Sequence, residues 1–233
     1  MIRFSTLLVL AVFLISGSAC EQKPSKPTLD PPEGVMADNV KIVDRLLEVI
    51  ENDVMPLTRK GTANGCKVFG AAILKKSDLS LVLAASNNEM DNTLWHAEVH
   101  ALKLLYEMPR EKRPAPKDCI FLATHEPCPL CLSAITWGGY DNFYYLFSYL
   151  DSRDSFKIGH DLKILKEVFK HDPGGYAQEN FYWKNYRITE LIDSFDTATR
   201  NGFRDRFEKL KKVYTEMSEV YQKNKGESDI PLK

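Results

Sequence analysis

Residues 120–137 read IFLATHEPCPLCLSAITW, and the change of pattern inside this run decides the fold. Ile120 to Ala123 is a short buried strand. Pro127 to Trp137 suits a helix, and Gly138-Gly139 closes it. A strand that runs directly into a helix is half of a βα unit. Cys128 and Cys131 lie three apart where that helix begins, so their sulfurs point to the same side. Unpaired N–H groups and the helix dipole at that end favour thiolate over thiol.

Working upstream, His96 to Met108 (HAEVHALKLLYEM) reads as a helix with Val99, Leu102 and Leu105 on one face. Before it, Val68 to Leu74 (VFGAAIL) is a buried strand, Lys75 to Asp78 a turn, and Leu79 to Ala85 a second strand. Asn87-Asn88 open a loop that ends near Trp95. Further back, Asp38 or Asn39 caps a helix carrying Val40, Val43, Leu47, Ile50 and Val54, with Pro56 marking its end. Downstream, Pro109 to Lys117 is a proline-rich charged loop that precedes the strand at Ile120. Phe143 to Phe147 is an apolar core strand and Asp161 to Phe169 another helix. This alternation predicts an α/β fold with helices on both faces of a largely parallel sheet. Phe203, Phe207, Leu210, Tyr214, Met217 and Tyr221 then form a heptad-like series. An amphipathic helix laid on the domain explains it. A pairing helix is the sharper reading, but the seam is short for a coiled coil.

The length of 233 residues and 44% hydrophobic content suit one domain with some additional chain. A formal net charge of -1 counts against a large nucleic-acid partner, which asks for a basic surplus. The first residues carry a different message. Met1-Ile2-Arg3 is a short positive region, Phe4 to Ile15 is almost wholly apolar, and Ser16-Gly17-Ser18-Ala19 supplies small residues. That order predicts a signal peptide over 1–19, too short in its apolar part for a comfortable membrane span. Cys20 stands where a bacterial lipoprotein is cleaved and lipidated, although Gly17 replaces the usual Leu. Residues 20–37, rich in Pro, Lys and Ser, read as a flexible tether. The expectation is an exported, periplasmic protein held to the membrane by a lipid on Cys20.

His96-Ala97-Glu98 opens one predicted helix and the cysteine pair opens another. One imidazole and two thiolates make three ligands, the number that a catalytic zinc keeps when a fourth place is reserved for water. Glu98 then lies within reach of that place without binding the metal. A closed structural site is the competing reading, and it needs a fourth ligand from Cys66, Cys119, His100 or His125. His100 reads better as a packing residue and His125 as a group at the pocket edge. A structural site also leaves Glu98 without a task.

The combination of His-x-Glu with a later Pro-Cys-x-x-Cys resembles the zinc deaminases. Together with Val68-Phe69-Gly70-Ala71-Ala72-Ile73 and Thr124-His125-Glu126-Pro127-Cys128-Pro129-Leu130-Cys131, it resembles the nucleoside deaminase branch of the cytidine deaminase-like superfamily. That branch contains guanine deaminase and tRNA adenosine deaminase, and the resemblance spans roughly residues 39–150. It implies a three-layer α/β/α fold with a five-stranded mixed sheet of order 2-1-3-4-5, and a homodimer in many members. It implies zinc on His96, Cys128 and Cys131, with Glu98 as proton shuttle. An Asn in the loop after the second strand contacts the base in this branch. Here that is Asn87 or Asn88, with Asn88 preferred, while ordinary turn chemistry explains either one equally well.

The domains expected are therefore the signal peptide, the tether, a deaminase domain over 38–195 and a C-terminal helical extension over 196–233. One departure alters the pocket wall. Where guanine and tRNA adenosine deaminases read Asp-Pro-Thr-x-His, this chain has Asp91-Asn92-Thr93-Leu94-Trp95-His96, one residue longer and without the proline. Trp95 either stacks on a base or belongs to the core. His125 and Ala97 complete the candidate substrate contacts. The expected reaction is zinc-dependent hydrolytic deamination of a small molecule, a free nucleobase or nucleoside, with amino-purines ahead of cytosine. A secreted effector acting on nucleic acid or nucleotides, and an inactive deaminase-fold lipoprotein, are the alternatives. Cys66 and Cys119 begin the first and third strands, which the family order would set side by side and parallel. A disulfide between them is sterically thinkable, and two buried thiols are the plainer expectation. Trp137 is expected to pack under the zinc helix.

Overall fold

The computed structural model describes residues 33–172 and 174–233, so the expected signal peptide, Cys20 and most of the expected tether lie outside the described residues. The chain runs through α1 (Glu33–Val49), α2 (Met55–Ala63), β1 (Gly70–Lys75), β2 (Leu81–Ser86) and α3 (Ala97–Glu107). Then come β3 (Cys119–His125), α4 (Pro129–Trp137), β4 (Asn142–Phe147), α5 (Tyr149–Asp154) and α6 (His160–Glu167). It ends with β5 (Lys184–Arg187), α7 (Ile188–Asp193) and α8 (Thr197–Asn224). The five strands form one sheet of order β2-β1-β3-β4-β5, as the family resemblance implies.

Pairing is parallel for β3–β4 and β4–β5, but antiparallel for β1–β2 and β1–β3, so the sheet is mixed rather than largely parallel. The antiparallel register sets Lys75 of β1 against Cys119. Cys66 precedes the opposite end of β1, which removes the geometry for a disulfide. Both cysteines are buried free thiols. Burial raises each thiol above its ordinary pKa, Cys119 to about 11.

Side chains of the central strands alternate between two apolar layers. Ala72, Leu74, Ile120, Leu122, Tyr144 and Leu146 face a core shared with α1, α2, α7 and α8. Ala71, Ile73, Phe121, Ala123, Phe143 and Tyr145 face a second core under α3 and α4. Central strands covered on both faces read as continuous apolar runs, which is why β3 and β4 are legible in the sequence. The heptad series of α8 (Phe203, Phe207, Leu210, Tyr214, Met217, Tyr221) is buried within the first core. That seam is occupied by the chain itself and is not a pairing surface.

Three local expectations need correction. The first helix begins at Glu33, inside the stretch read as tether, and Asp38 and Asn39 lie within it instead of capping it. Pro56 does not end the helical run. A π-helical turn (Ile50–Val54) breaks the hydrogen-bond register, and α2 restarts with Pro56 in its first turn, where a missing N–H costs nothing. Trp137 closes α4 pointing outward and is 92% exposed, so it does not pack under that helix. Gly139, at φ +79, supplies the left-handed turn that ends α4 as the glycine pair suggests. Among the described residues no helix is long and apolar enough to cross a membrane.

Candidate active site

Helices α3 and α4 lie on the same face of the sheet and start close together. His96 is the residue that precedes α3, and Cys128 the one that precedes α4, each with extended backbone that turns its side chain across the helix end. His96 Nδ1 lies 3.3 Å from Cys128 Sγ and 3.8 Å from Cys131 Sγ, and the two sulfurs are 3.5 Å apart. Tetrahedral zinc with bonds of about 2.3 Å to sulfur and 2.0–2.1 Å to nitrogen would set such atoms roughly 3.5–3.8 Å apart. The donor set and its spacing fit the ion. Among the described residues these three form the one cluster able to hold a metal.

The four candidates for a fourth ligand all lie outside this cluster. His100 Nδ1 lies 2.8 Å from the Ser86 carbonyl oxygen, and the Cys119 thiol donates to Ala115 O at 3.4 Å. His125 is not at the pocket edge. Its ring is buried among Phe69, Phe147, Phe156 and Tyr214, with Nδ1 against Thr124 Oγ1 at 2.9 Å. Burial lowers its pKa to about 3, so it is a neutral core group. Among the described residues the site therefore offers three ligands, the number a catalytic zinc takes from protein.

Glu98, in the first turn of α3, is buried, and its Oε2 accepts from Cys131 Sγ at 3.1 Å. Burial and the charge of Cys128 raise its pKa to about 7, against the opposing pull of His96. The contact with Cys131, helped by His96, draws Cys128 well below the usual thiol range. Burial opposes a charged His96, yet the bond to Cys128 and that sulfur's charge prevail and lift it to about 9.

His96 and Cys128 open onto a cavity of about 480 Å³, walled largely by apolar side chains that include Leu94, Leu130, Ile164, Phe169 and Ile230. Its charged wall is a pair. Lys67 Nζ donates to Glu89 Oε1 at 2.5 Å, and Glu89 Oε2 accepts from Lys67 N and Asn87 Nδ2, both at 2.9 Å. Asn87 Oδ1 in turn accepts from Ala97 N, the first N–H of α3, at 2.7 Å. Both ends of Asn87 are thus engaged in positioning the loop and the helix. Asn88, preferred from the sequence, turns away and donates to Asp91 Oδ2 at 2.8 Å on the exposed side. Ala97 is buried with its N–H occupied. Trp95 does not line the cavity: it stacks on His100, rings 5.8 Å apart and 5° from parallel, under the Lys103 ammonium. Its neighbours Thr93 and Leu94 reach the cavity instead.

Sequence reasoning missed Lys67, Glu89 and Asp161. Asp161, in the first turn of α6, lies near enough to Cys128, His96, Glu98 and Lys67 to feel their charges, and burial above all raises its pKa to about 8. An acidic residue at a helix start also looks like ordinary capping, and nothing in its spacing separates the two.

Residues 54–147 match the model of the cytidine and deoxycytidylate deaminase zinc-binding region. A guanine deaminase of Bacillus subtilis (strain 168) is 31% identical over 136 residues, which cover 57% of this chain and 80% of that protein. Among solved structures, the chain is similar to the guanine deaminase of Nitrosomonas europaea (TM-score 0.39, 19% identity, 77% of this chain and 86% of that one). It is also similar to the solved Bacillus subtilis guanine deaminase (TM-score 0.40, 24% identity, 70% and 91%). A matching zinc-binding region, a three-ligand site in that region and a relative aligned over most of its own length lead to one conclusion. The chain belongs to the cytidine and deoxycytidylate deaminase zinc-binding family and is a zinc-dependent hydrolytic deaminase.

Proposed function

We propose that the substrate is a free nucleobase, an amino-purine such as guanine ahead of a cytosine-type base. The observation that carries this reading is the cavity in front of His96 and Cys128: flat heteroaromatic rings suit apolar walls, and the Lys67 ammonium in that wall is already paired with Glu89. A nucleotide's phosphate would ask for a free cation, and no such group lines the cavity among the described residues. The Bacillus relative's name, guanine deaminase, agrees with the choice of base.

His96, Cys128 and Cys131 would hold the zinc, which would supply the Lewis acidity that makes water nucleophilic near neutral pH. The remaining work falls to the chain. Glu98 takes a proton from the attacking water and passes one to a ring nitrogen of the base, and a second transfer lets ammonia leave while a carbonyl forms. Its burial keeps solvent from competing for those protons. Asn87 and Glu89 fix the start of α3 and with it the position of the Glu98 carboxylate. A protein that merely binds would have no use for such a buried carboxylate beside a three-ligand metal site. Ammonia release from a panel of purine and pyrimidine bases, nucleosides and nucleotides tests the reading. Turnover confined to bases supports it, and a preference for nucleotides would overturn it.

Export to the periplasm and lipid anchoring through Cys20 belong to the same proposal. They rest on the basic, apolar and small-residue order of residues 1–20. Cys20→Ser should move the protein from the membrane fraction to the soluble one; unchanged partition refutes the anchor. Pairing of two copies rests on the family resemblance alone.

A further inference from the structure

Three large aromatic side chains stand in solvent at the end of the sheet far from the zinc ligands. Trp137 is 92% exposed, Phe181 94% and Tyr182 62%. They belong to one patch, because Trp183 Nε1 donates to Thr136 Oγ1 at 2.8 Å and fastens the loop before β5 to the last turn of α4. Asn180 Oδ1 accepts from Tyr182 N at 2.9 Å and from Trp183 N at 3.2 Å, which sets the loop backbone. The Phe181 and Tyr182 rings meet edge to face at 5.2 Å. Helix α4 starts beside the zinc ligands and carries Trp137 about 12 Å along its axis to this far end.

The chain also enters the domain here. Asp38, early in α1, shares a hollow with Lys76, Asp141, Asn142 and Tyr186, and the Lys184 N–H that opens β5 donates to Asp141 O at 3.2 Å. Residues 21–32 separate α1 from Cys20, and fully extended they span at most about 43 Å.

We propose that Trp137, Phe181 and Tyr182 form a membrane-docking face, set at headgroup level in the phospholipid bilayer to which Cys20 anchors the chain, so that the zinc cavity points away from the lipid. The inference rests on the lipid-anchor reading above and adds the surface that orients the domain. Tryptophan and tyrosine suit that depth, where one part of the ring is apolar and another is wet. The exposed area of the three rings is roughly 400–600 Å², below the about 800 Å² per partner that a stable dimer buries. The charges around them carry a basic surplus that favours anionic headgroups. Lys76 and Lys184 are paired with Asp141 and Glu179, while Arg110, Lys112 and Lys117 stand against Glu111 and Asp118 in the loop that meets Gly139 through Pro116.

The test uses vesicles of phosphatidylcholine and phosphatidylglycerol with brominated acyl chains. In the lipidated chain the bromolipid should quench tryptophan fluorescence, and W137F should abolish the quenching, since Trp95 and Trp183 are held inside the fold. Partition of the unlipidated mature chain, residues 20–233 with C20S, is measured by co-sedimentation. The further triple variant W137S/F181S/Y182S should lower its partition coefficient at least tenfold, the scale of losing one well-buried apolar side chain, with zinc content unchanged. Absent quenching, or quenching that persists in W137F, overturns the proposal. Equal partition of the two unlipidated proteins also overturns it. So does an unlipidated chain that ignores vesicles but is a dimer in sedimentation equilibrium and becomes a monomer in the triple variant, because a second copy would then cover the face. Should the triple variant lose its zinc, the W137F quenching decides alone. If Cys20 carries no lipid the anchor reading fails, and the partition of the unlipidated chain still decides whether the face docks.

Discussion

Glu89→Gln should destabilise the protein far more than a one-atom change suggests. The side chains of Lys67 and Glu89 are 6% and 0% exposed, and the carboxylate accepts from Lys67 Nζ, Lys67 N and Asn87 Nδ2. Gln can keep its oxygen at the site of Oε2, saving the last two bonds, but it then presents an amide to the ammonium. A buried cation left without its anion costs about 3–5 kcal/mol. That is a large share of the roughly 5–15 kcal/mol that holds a domain together. In urea the midpoint should fall by about 1–3 M at ordinary slopes. The double variant K67M/E89Q removes the cation too, so it should recover at least half of the loss. Urea unfolding of the zinc-loaded proteins, followed by far-UV circular dichroism, measures both. A single-variant cost below about 1 kcal/mol, the size of a solvated surface pair, would refute the reasoning. So would a double variant no more stable than the single one.

His125 makes stability depend on pH. Burial holds it at about 3 in the fold against its ordinary 6.5, with Asp151 pulling weakly the other way. Between those values the unfolded chain binds a proton that the folded chain refuses, so stability falls as pH falls, by about 1.4 kcal/mol per pH unit at most. In His125→Leu the loss between pH 6.5 and about 5 should shrink by roughly 1–2 kcal/mol, and identical slopes would contradict the assignment. Gly70 is where the sheet meets the π turn, and a Cβ there would stand 2.2 Å from Val54 Cγ1 and 3.0 Å from Thr58 Oγ1. Gly70→Ala should cost about 1–3 kcal/mol by overpacking, and adding Val54→Ala should return part of it; additive losses in thermal unfolding would exclude the clash.

What the sequence reveals here follows how local the cause is. His96, Glu98, Cys128 and Cys131 are legible because two short motifs each fix their side chains against a helix start, and the strand between them is a plain apolar run. The sense of strand pairing is not local: nothing in VFGAAIL states that β1 opposes β3, and this is why Cys66 and Cys119 could be imagined as neighbours. Strand β5 (KNYR) carries charge because it lies at an edge, and its half-buried Tyr186 stacks on Tyr144 at 4.6 Å. It has no apolar pattern to read. Lys67 and Glu89 are 22 residues apart and meet only when the loop after β2 folds back. The choice between Asn87 and Asn88 turns on a single residue of loop geometry, with the Asn88–Asp91 bond taking one of them out of the site. For Trp137, apolar identity suggested burial, whereas its place at the last turn of α4 turns it to solvent.

The account stands or falls on a carboxylate beside a three-ligand zinc site. Glu98→Gln preserves the shape of that buried side chain and leaves His96, Cys128 and Cys131 untouched. Zinc content by metal analysis and ammonia release from the best base should therefore part company: full metal occupancy, with turnover reduced about 10²–10⁴-fold, the range for losing a positioned proton shuttle. Turnover within tenfold of the parent at full zinc occupancy would contradict the account.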